Sequence, residues 1–275
     1  MKRALIPGAL ALAFMLPAAA QETTLPLWEA GVAGFAASTP AYPGADDRSG
    51  RVLAVPFLIY RGEVLRADRS GIGARLVRTD RIEFDIGFAA SLPARSDAGA
   101  ARAGMPDLAF LAEFGPRVKV FLVNPTPTSR LRLDLPLRAV IEFRDGVRRQ
   151  GTTFEPRLVY ETRQAGSPWS YDANVGLVIG DSRINRYFYE VAPQFATASR
   201  PAYHAGAGLM LVRAGVSTSY KVNDDVRVFG FVRMESYAGA ANRDSPLMKK
   251  NNDASIGAGF TWTLGRSQTL ARGAQ

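Results

Sequence analysis

Polar and apolar positions alternate along this chain with a period of two. In "LRLDLPLRAVIEF" (131–143), Leu131, Leu133, Leu135, Leu137, Ala139, Ile141 and Phe143 share one face. Arg132, Asp134, Pro136, Arg138 and Glu142 share the other, and only Val140 breaks the pattern. Successive side chains of a strand point to opposite sides, so the segment predicts one apolar wall and one charged wall. The alternation returns in "RIEFDIGFAAS" (81–91), "TFEPRLVYE" (153–161), "WSYDANVGLVIGD" (169–181), "YHAGAGLMLV" (203–212) and "SIGAGFTWTL" (255–264). Further strands are predicted at 27–37, 51–60, 107–114, 117–123, 186–197, 215–223 and 226–237. The pattern predicts an all-β, antiparallel chain of about twelve strands, within a range of about ten to fourteen.

Two architectures accept such strands. A soluble sandwich or barrel keeps the apolar face inside. A transmembrane β-barrel turns it outward and keeps charge in the lumen. Three features favour the membrane barrel. Several segments reach about ten residues, longer than an average strand. Trp28, Tyr60, Trp169, Tyr187, Tyr203, Tyr237 and Trp262 sit near strand ends, as interfacial girdles require. The polar faces carry full charges, among them Glu155, Arg157 and Glu161. The expectation is a barrel over 21–264, with Leu133, Leu135 and Leu137 toward lipid. Arg132, Asp134 and Arg138 then line a wet lumen, where neutralising Asp134 is mild. Stretches 93–106 and 238–253 are expected as outer loops.

The ends support export. Lys2 and Arg3 precede an apolar run from Ala4 to Leu16, and Ala18-Ala19-Ala20 forms a small-residue cleavage site. Residues 1–20 therefore read as a signal peptide, with 265–275 as a C-terminal tail. Removing the leader takes the chain from 275 to 255 residues and its formal charge from +9 to +7. Behind an export signal this basicity points to lipid phosphates and lipopolysaccharide rather than to nucleic acid. The chain has no cysteine, so neither disulfides nor thiol chemistry contribute. A mean hydropathy of −0.04 argues against a bundle of membrane helices.

Candidate chemistry is sparse. His204 is the single histidine, no GxSxG surrounds a serine, and nothing offers metal-ligand spacing. The expectation is a non-catalytic protein without cofactor or metal. "AYPGADDR" (41–48) sets Asp46 and Asp47 behind a Pro-Gly turn, a sharp corner leaving the first strand. "RDGVRRQG" (144–151) combines a tight Asp-Gly turn with Arg144, Arg148 and Arg149, a basic rim able to meet lipopolysaccharide phosphates. Asp46, Asp47, Arg144, Arg148 and Arg149 are the candidate surface contacts.

"YPGADD" (42–47), "VPFLIYRGEVLRAD" (55–68), "GMPDL" (104–108) and "SPL" (245–247), in this order behind a signal peptide, resemble the MipA/OmpV family of Gram-negative outer-membrane proteins. The resemblance implies an outer-membrane location and a scaffold joining a lytic transglycosylase to a murein synthase. It leaves open a small solute pore or a surface adhesin. One departure stands out: such barrels commonly end on an aromatic residue, whereas here "GRSQTLARGAQ" follows Leu264.

Overall fold

In the computed structural model the structure describes residues 25–68, 71–91, 93, 100–123, 126, 128–162 and 166–271. The expected signal peptide lies outside the described residues. The strands are β1 (Trp28–Pro40), β2 (Arg48–Arg61), β3 (Leu65–Asp68), β4 (Gly71–Arg78), β5 (Ile82–Ser91), β6 (Phe110–Phe121) and β7 (Ser129–Arg144). They continue with β8 (Gly146–Phe154), β9 (Arg157–Thr162), β10 (Trp169–Gly180), β11 (Gly208–Lys221), β12 (Val226–Ser236) and β13 (Asn252–Arg266). One helix, α1 (Ser182–Tyr189), lies between β10 and β11.

Every pairing is antiparallel, and the sheet closes on itself through β10 against β11 and β13 against β1. The upper half of β7 pairs β8 and its lower half pairs β9, so these two are one wall strand interrupted at Glu155–Pro156. Proline has no N–H to give the ladder, which explains the break. Counted this way the wall is a closed barrel of twelve strands.

Charges face in and apolar side chains face out. Along β7, Arg132, Asp134, Arg138 and Glu142 are buried while Leu137 and Phe143 are exposed. That sense of burial belongs to a barrel solvated by lipid. No helix among the described residues is long and apolar enough to cross a membrane. Trp28, Tyr60, Trp169, Tyr171, Tyr220 and Trp262 gather near one end, with Trp169 stacked on Tyr171 at 6.0 Å. Phe88 on Phe114 and Phe110 on Phe143 mark the other.

The two ends differ in their connections. At the tryptophan end the strands are joined by short turns (62–64, 79–81, 222–225), and the termini pair there through Pro26 and Leu270. The opposite end carries longer segments, 41–47, 92–109, 181–207 and 237–251. In bacterial barrels the short turns face the periplasm and the long loops face outward.

Several local expectations change. Residues 186–197 are not a strand. They hold the second half of α1 and a 3-10 turn at Pro193–Phe195, because Asp181 caps the helix by accepting from the Arg183 and Ile184 amides at 3.0 Å. Segments 107–114 and 117–123 fuse into β6, and 203–212 and 215–223 contribute to the single strand β11. Strands β3 and β4 were not expected. Tyr187, Tyr203 and Tyr237 leave the girdle for the outer loops. Asp134 lies in no wet lumen: it is 0% exposed, for a reason set by its neighbours.

Candidate functional site

The lumen wall has two sectors. Across β4 to β9 it is an ion ladder. Arg117 grips Asp85 through Nε and Nη2 at 2.9 and 2.8 Å, and Lys119 bridges Glu83 at 2.7 Å and Asp85 at 3.0 Å. Arg75 reaches Glu83 at 2.8 Å. Arg132 joins Asp134 at 2.8 Å and Glu161 at 2.6 Å, and Arg157 closes on the other Asp134 oxygen at 3.3 Å. Arg138 sits between Glu155 at 3.2 Å and Glu113 at 3.5 Å. The register causes this: Glu83 lies opposite Lys119, which lies opposite Asp134, so the inward rows of adjacent strands present opposite charges. Across β12, β13, β1 and β2 the middle of the inward wall is apolar. Leu53, Val55, Phe57 and Ile59 of β2 lie opposite Phe35, Ala33, Gly31 and Glu29 of β1.

The outer mouth is spanned by a cap. Tyr42, Ala101, Leu108, Val191 and Leu247 pack together although they come from four different loops around the barrel. Tyr42 of the YPGADD corner donates to the Leu247 carbonyl at 2.8 Å, and the Lys249 amide donates to the Gly44 carbonyl at 2.7 Å. Gly44 has φ of +83°, and a side chain there would run into Met248. Asn242 donates to Asn185 Oδ1 at 2.8 Å and to the Gly206 carbonyl at 2.9 Å, and accepts from the Gly206 amide. Arg200 donates to the carbonyls of Ala101, Ala103 and Phe195. Helix α1 docks on β8 at Gly151, which has φ of +126° and where a side chain would run into the Asp181 carboxylate. Burial raises the Tyr42, Tyr189 and Tyr237 phenols well above their ordinary range.

Beside the cap lies a pocket of about 490 Å³ between the 100–108 segment, the β7–β8 hairpin and α1. Arg102, Arg144, Arg148, Arg183 and Arg186 line it, against Asp107, Glu142 and Glu190. Glu142 is its hub, paired with Arg144 at 3.1 Å and accepting from the Tyr187 hydroxyl at 3.3 Å. Burial pushes the Tyr187 phenol up to about 12 and lowers the Arg102 guanidinium. Arg102 spends its donors on the carbonyls of Phe188 and Pro106, both at 3.1 Å. Arg148 is exposed and pairs with no carboxylate among the described residues. The excess of cations over carboxylates suits an oxyanion.

Comparison with known protein families returns MltA-interacting protein MipA, matched over residues 32–264. The chain belongs to the MipA family. Three solved structures are similar to it at low sequence identity. One is a "bacterial polysaccharide outer membrane secretin", 9% identical with a TM-score of 0.39, covering 87% of this chain and 99% of that one. Another is the calcium-bound dimer of the outer membrane phospholipase of Salmonella typhi, 12% identical with a TM-score of 0.35, covering 88% and 93%. The third is outer membrane phospholipase A from Escherichia coli, 12% identical, also at 0.35, covering 88% and 92%. No curated protein matches.

In this MipA-family outer-membrane barrel the candidate residues separate. Arg144 and Arg148 meet at the pocket, and Arg149 stands beside it, its carbonyl accepting from Arg183 at 3.3 Å. Asp46 and Asp47 belong to the YPGADD corner, where the Asp47 carbonyl accepts from the Ala41 amide at 3.0 Å. His204 lies in the β10–β11 loop with Nδ1 3.4 Å from a Glu190 oxygen and its side chain largely exposed. Sequence reasoning missed Arg102, Arg183 and Arg186. The last two follow Asp181 at the start of α1, and that N-cap was the available signal.

Proposed function

We propose that this MipA-family barrel is a non-catalytic interaction protein of the cell envelope, a scaffold holding a lytic transglycosylase and a murein synthase at the periplasmic face. The family's name, MltA-interacting protein, supports a protein partner. The observation that carries the reading is the cap: loops from opposite sides of the barrel pack into one core across the outer mouth, and the ladder charges are paired with one another. Neither arrangement serves a solute pore. The rim pocket is read as a lipopolysaccharide contact, with Arg144 and Arg148 toward a phosphate and Arg149 flanking. Asp46 and Asp47 are read as corner residues of the cap that border this outer surface.

Purified barrel in a planar bilayer, together with affinity capture from a membrane extract, tests the proposal. A silent bilayer with recovery of murein enzymes is expected. Stepwise conductance without such recovery overturns the scaffold in favour of a pore.

A further inference from the structure

The barrel wall has a notch. The hairpin of β3 and β4 is short, and β3 meets β2 only at Tyr60 and Arg61. Among the described residues, Arg48 to Ile59 of β2 therefore pair with β1 on one edge and with no strand on the other. In a bilayer such an edge is tolerated only where it is covered by protein or lines a water-filled cavity, here the lumen beside β2. Like the middle of its neighbour β1, β2 is apolar on both faces. Val52 and Leu58 point outward and are 83% and 60% exposed, while Leu53, Val55, Phe57 and Ile59 point into the lumen.

That inward row spans about 20 Å at 3.3 Å per residue, comparable to an extended long-chain acyl group. Further along the same sector, Phe229 and Phe231 of β12 occupy the space beside Gly259 and Gly257 of β13. Charge bounds the sector at both ends. Below, Glu29 and Arg61 pair with each other at 2.5 Å. Above, Arg51 reaches across the notch to the Pro93 carbonyl and to Ser49 Oγ at 2.9 Å. Arg51 pairs with no carboxylate among the described residues, unlike the ladder arginines Arg117, Arg132 and Arg138.

We infer that the notch is a lateral portal through which a long-chain fatty acid dissolved in the bilayer reaches the apolar sector. Its chain lies along Leu53 to Ile59 and its carboxylate meets Arg51. The burial of acyl methylenes holds the chain, and the guanidinium provides charge-assisted hydrogen bonds for the head.

The test uses the full barrel in phosphatidylcholine vesicles with palmitate carrying a mid-chain diazirine. After irradiation, adducts are mapped by mass spectrometry. Inward Val55 and Phe57 are expected to be labelled, and outward Val52 and Leu58 report the surrounding lipid as an internal reference. Arg51→Gln should lower the inward-to-outward ratio at least five-fold. The same diazirine on hexadecanol, which has no charge, should give a low ratio in both proteins. Heat-modifiable gel migration confirms that the variant is folded; if Arg51→Gln does not fold, Arg51→Lys, which keeps the charge, should retain the ratio. Adducts confined to Val52 and Leu58, or a ratio unchanged by Arg51→Gln or shared equally by hexadecanol, overturns the inference.

Discussion

The lumen of this barrel is lined by two walls built from the same alternation with opposite chemistry. On β4 to β9 the inward face buries charged side chains, each ion held by one or two partners. On β1 and β2 the inward positions are apolar and partly open, with Val55 still 39% exposed. The difference teaches that burial in a membrane barrel does not follow polarity. Charge is buried where neighbouring rows supply its complement, and apolar side chains stay open where the wall beside them is incomplete. The ladder does not need to be a net source of stability, since desolvating two ions offsets much of their attraction. It does make each member hard to remove singly.

The largest effect should come from breaking the ladder. Asp134→Ala leaves Arg132 and Arg157 facing each other without their shared anion, and is expected to cost about 3–5 kcal/mol. Urea unfolding in lipid, followed by the gel shift of the folded barrel, measures it. Val55→Ala in the open sector should change the same midpoint by less than about 0.5 kcal/mol. Equal losses would abolish the distinction between the sectors.

Next in size is the outer surface. Leu135→Arg places charge toward lipid and should cost about 2–4 kcal/mol near the midplane. Cysteine labelling gives the same comparison without a stability measurement, since the chain has no native cysteine. Leu135→Cys should react with a lipid-phase probe only. Asp134→Cys should resist both lipid-phase and water-soluble probes, because its position is sealed.

The cap provides smaller tests. Tyr42→Phe removes the bond to the Leu247 carbonyl and should lower stability by about 0.5–1.5 kcal/mol, read as earlier proteolysis of the 237–251 loop. Burial raises the Tyr187 phenol to about 12, so the protonated form is the one the fold prefers. Its contribution is complete below the ordinary tyrosine value of about 10 and is lost as pH climbs through about 12. Tyrosinate absorbance should therefore show a late-titrating class that Tyr187→Phe diminishes. A Tyr187 that ionises with exposed tyrosines contradicts its burial. The smallest effect on stability, within about 0.5 kcal/mol, is expected for Arg148→Gln. On the proposed reading it nevertheless weakens lipopolysaccharide binding in a vesicle pull-down.

Much of this was legible before folding. The division of β7 into an apolar and a charged face follows from its alternation alone, and the Asp145-Gly146 turn sits where its dipeptide predicts, with Gly146 at φ of +134°. The basic rim of Arg144 and Arg148 was also legible, because a strand end rich in arginine beside a tight turn has few places to go but the mouth. Alpha1 was not, since Tyr187 and Tyr189 alternate with Phe188 and Glu190 closely enough to imitate a strand. Beta3 escapes because four residues carry too little pattern to register, and β4 because an irregularity between Arg75 and Val77 breaks its alternation. The ladder escaped for a different reason: Lys119 and Asp134 are fifteen positions apart, and only the β6–β7 register sets them opposite.

By itself the sequence determined the period, and with it antiparallel strands with two chemically distinct faces, because alternation is a property of each strand alone. The tertiary structure decided everything that depends on which strands are neighbours. It showed that the charged face is inside, since a period of two carries no sign. It divided that inside into a paired ladder and an apolar sector, left a notch where one hairpin is short, and drew four loops together over the mouth. Those features arise from register and closure between distant segments, and no local pattern of residues contains them.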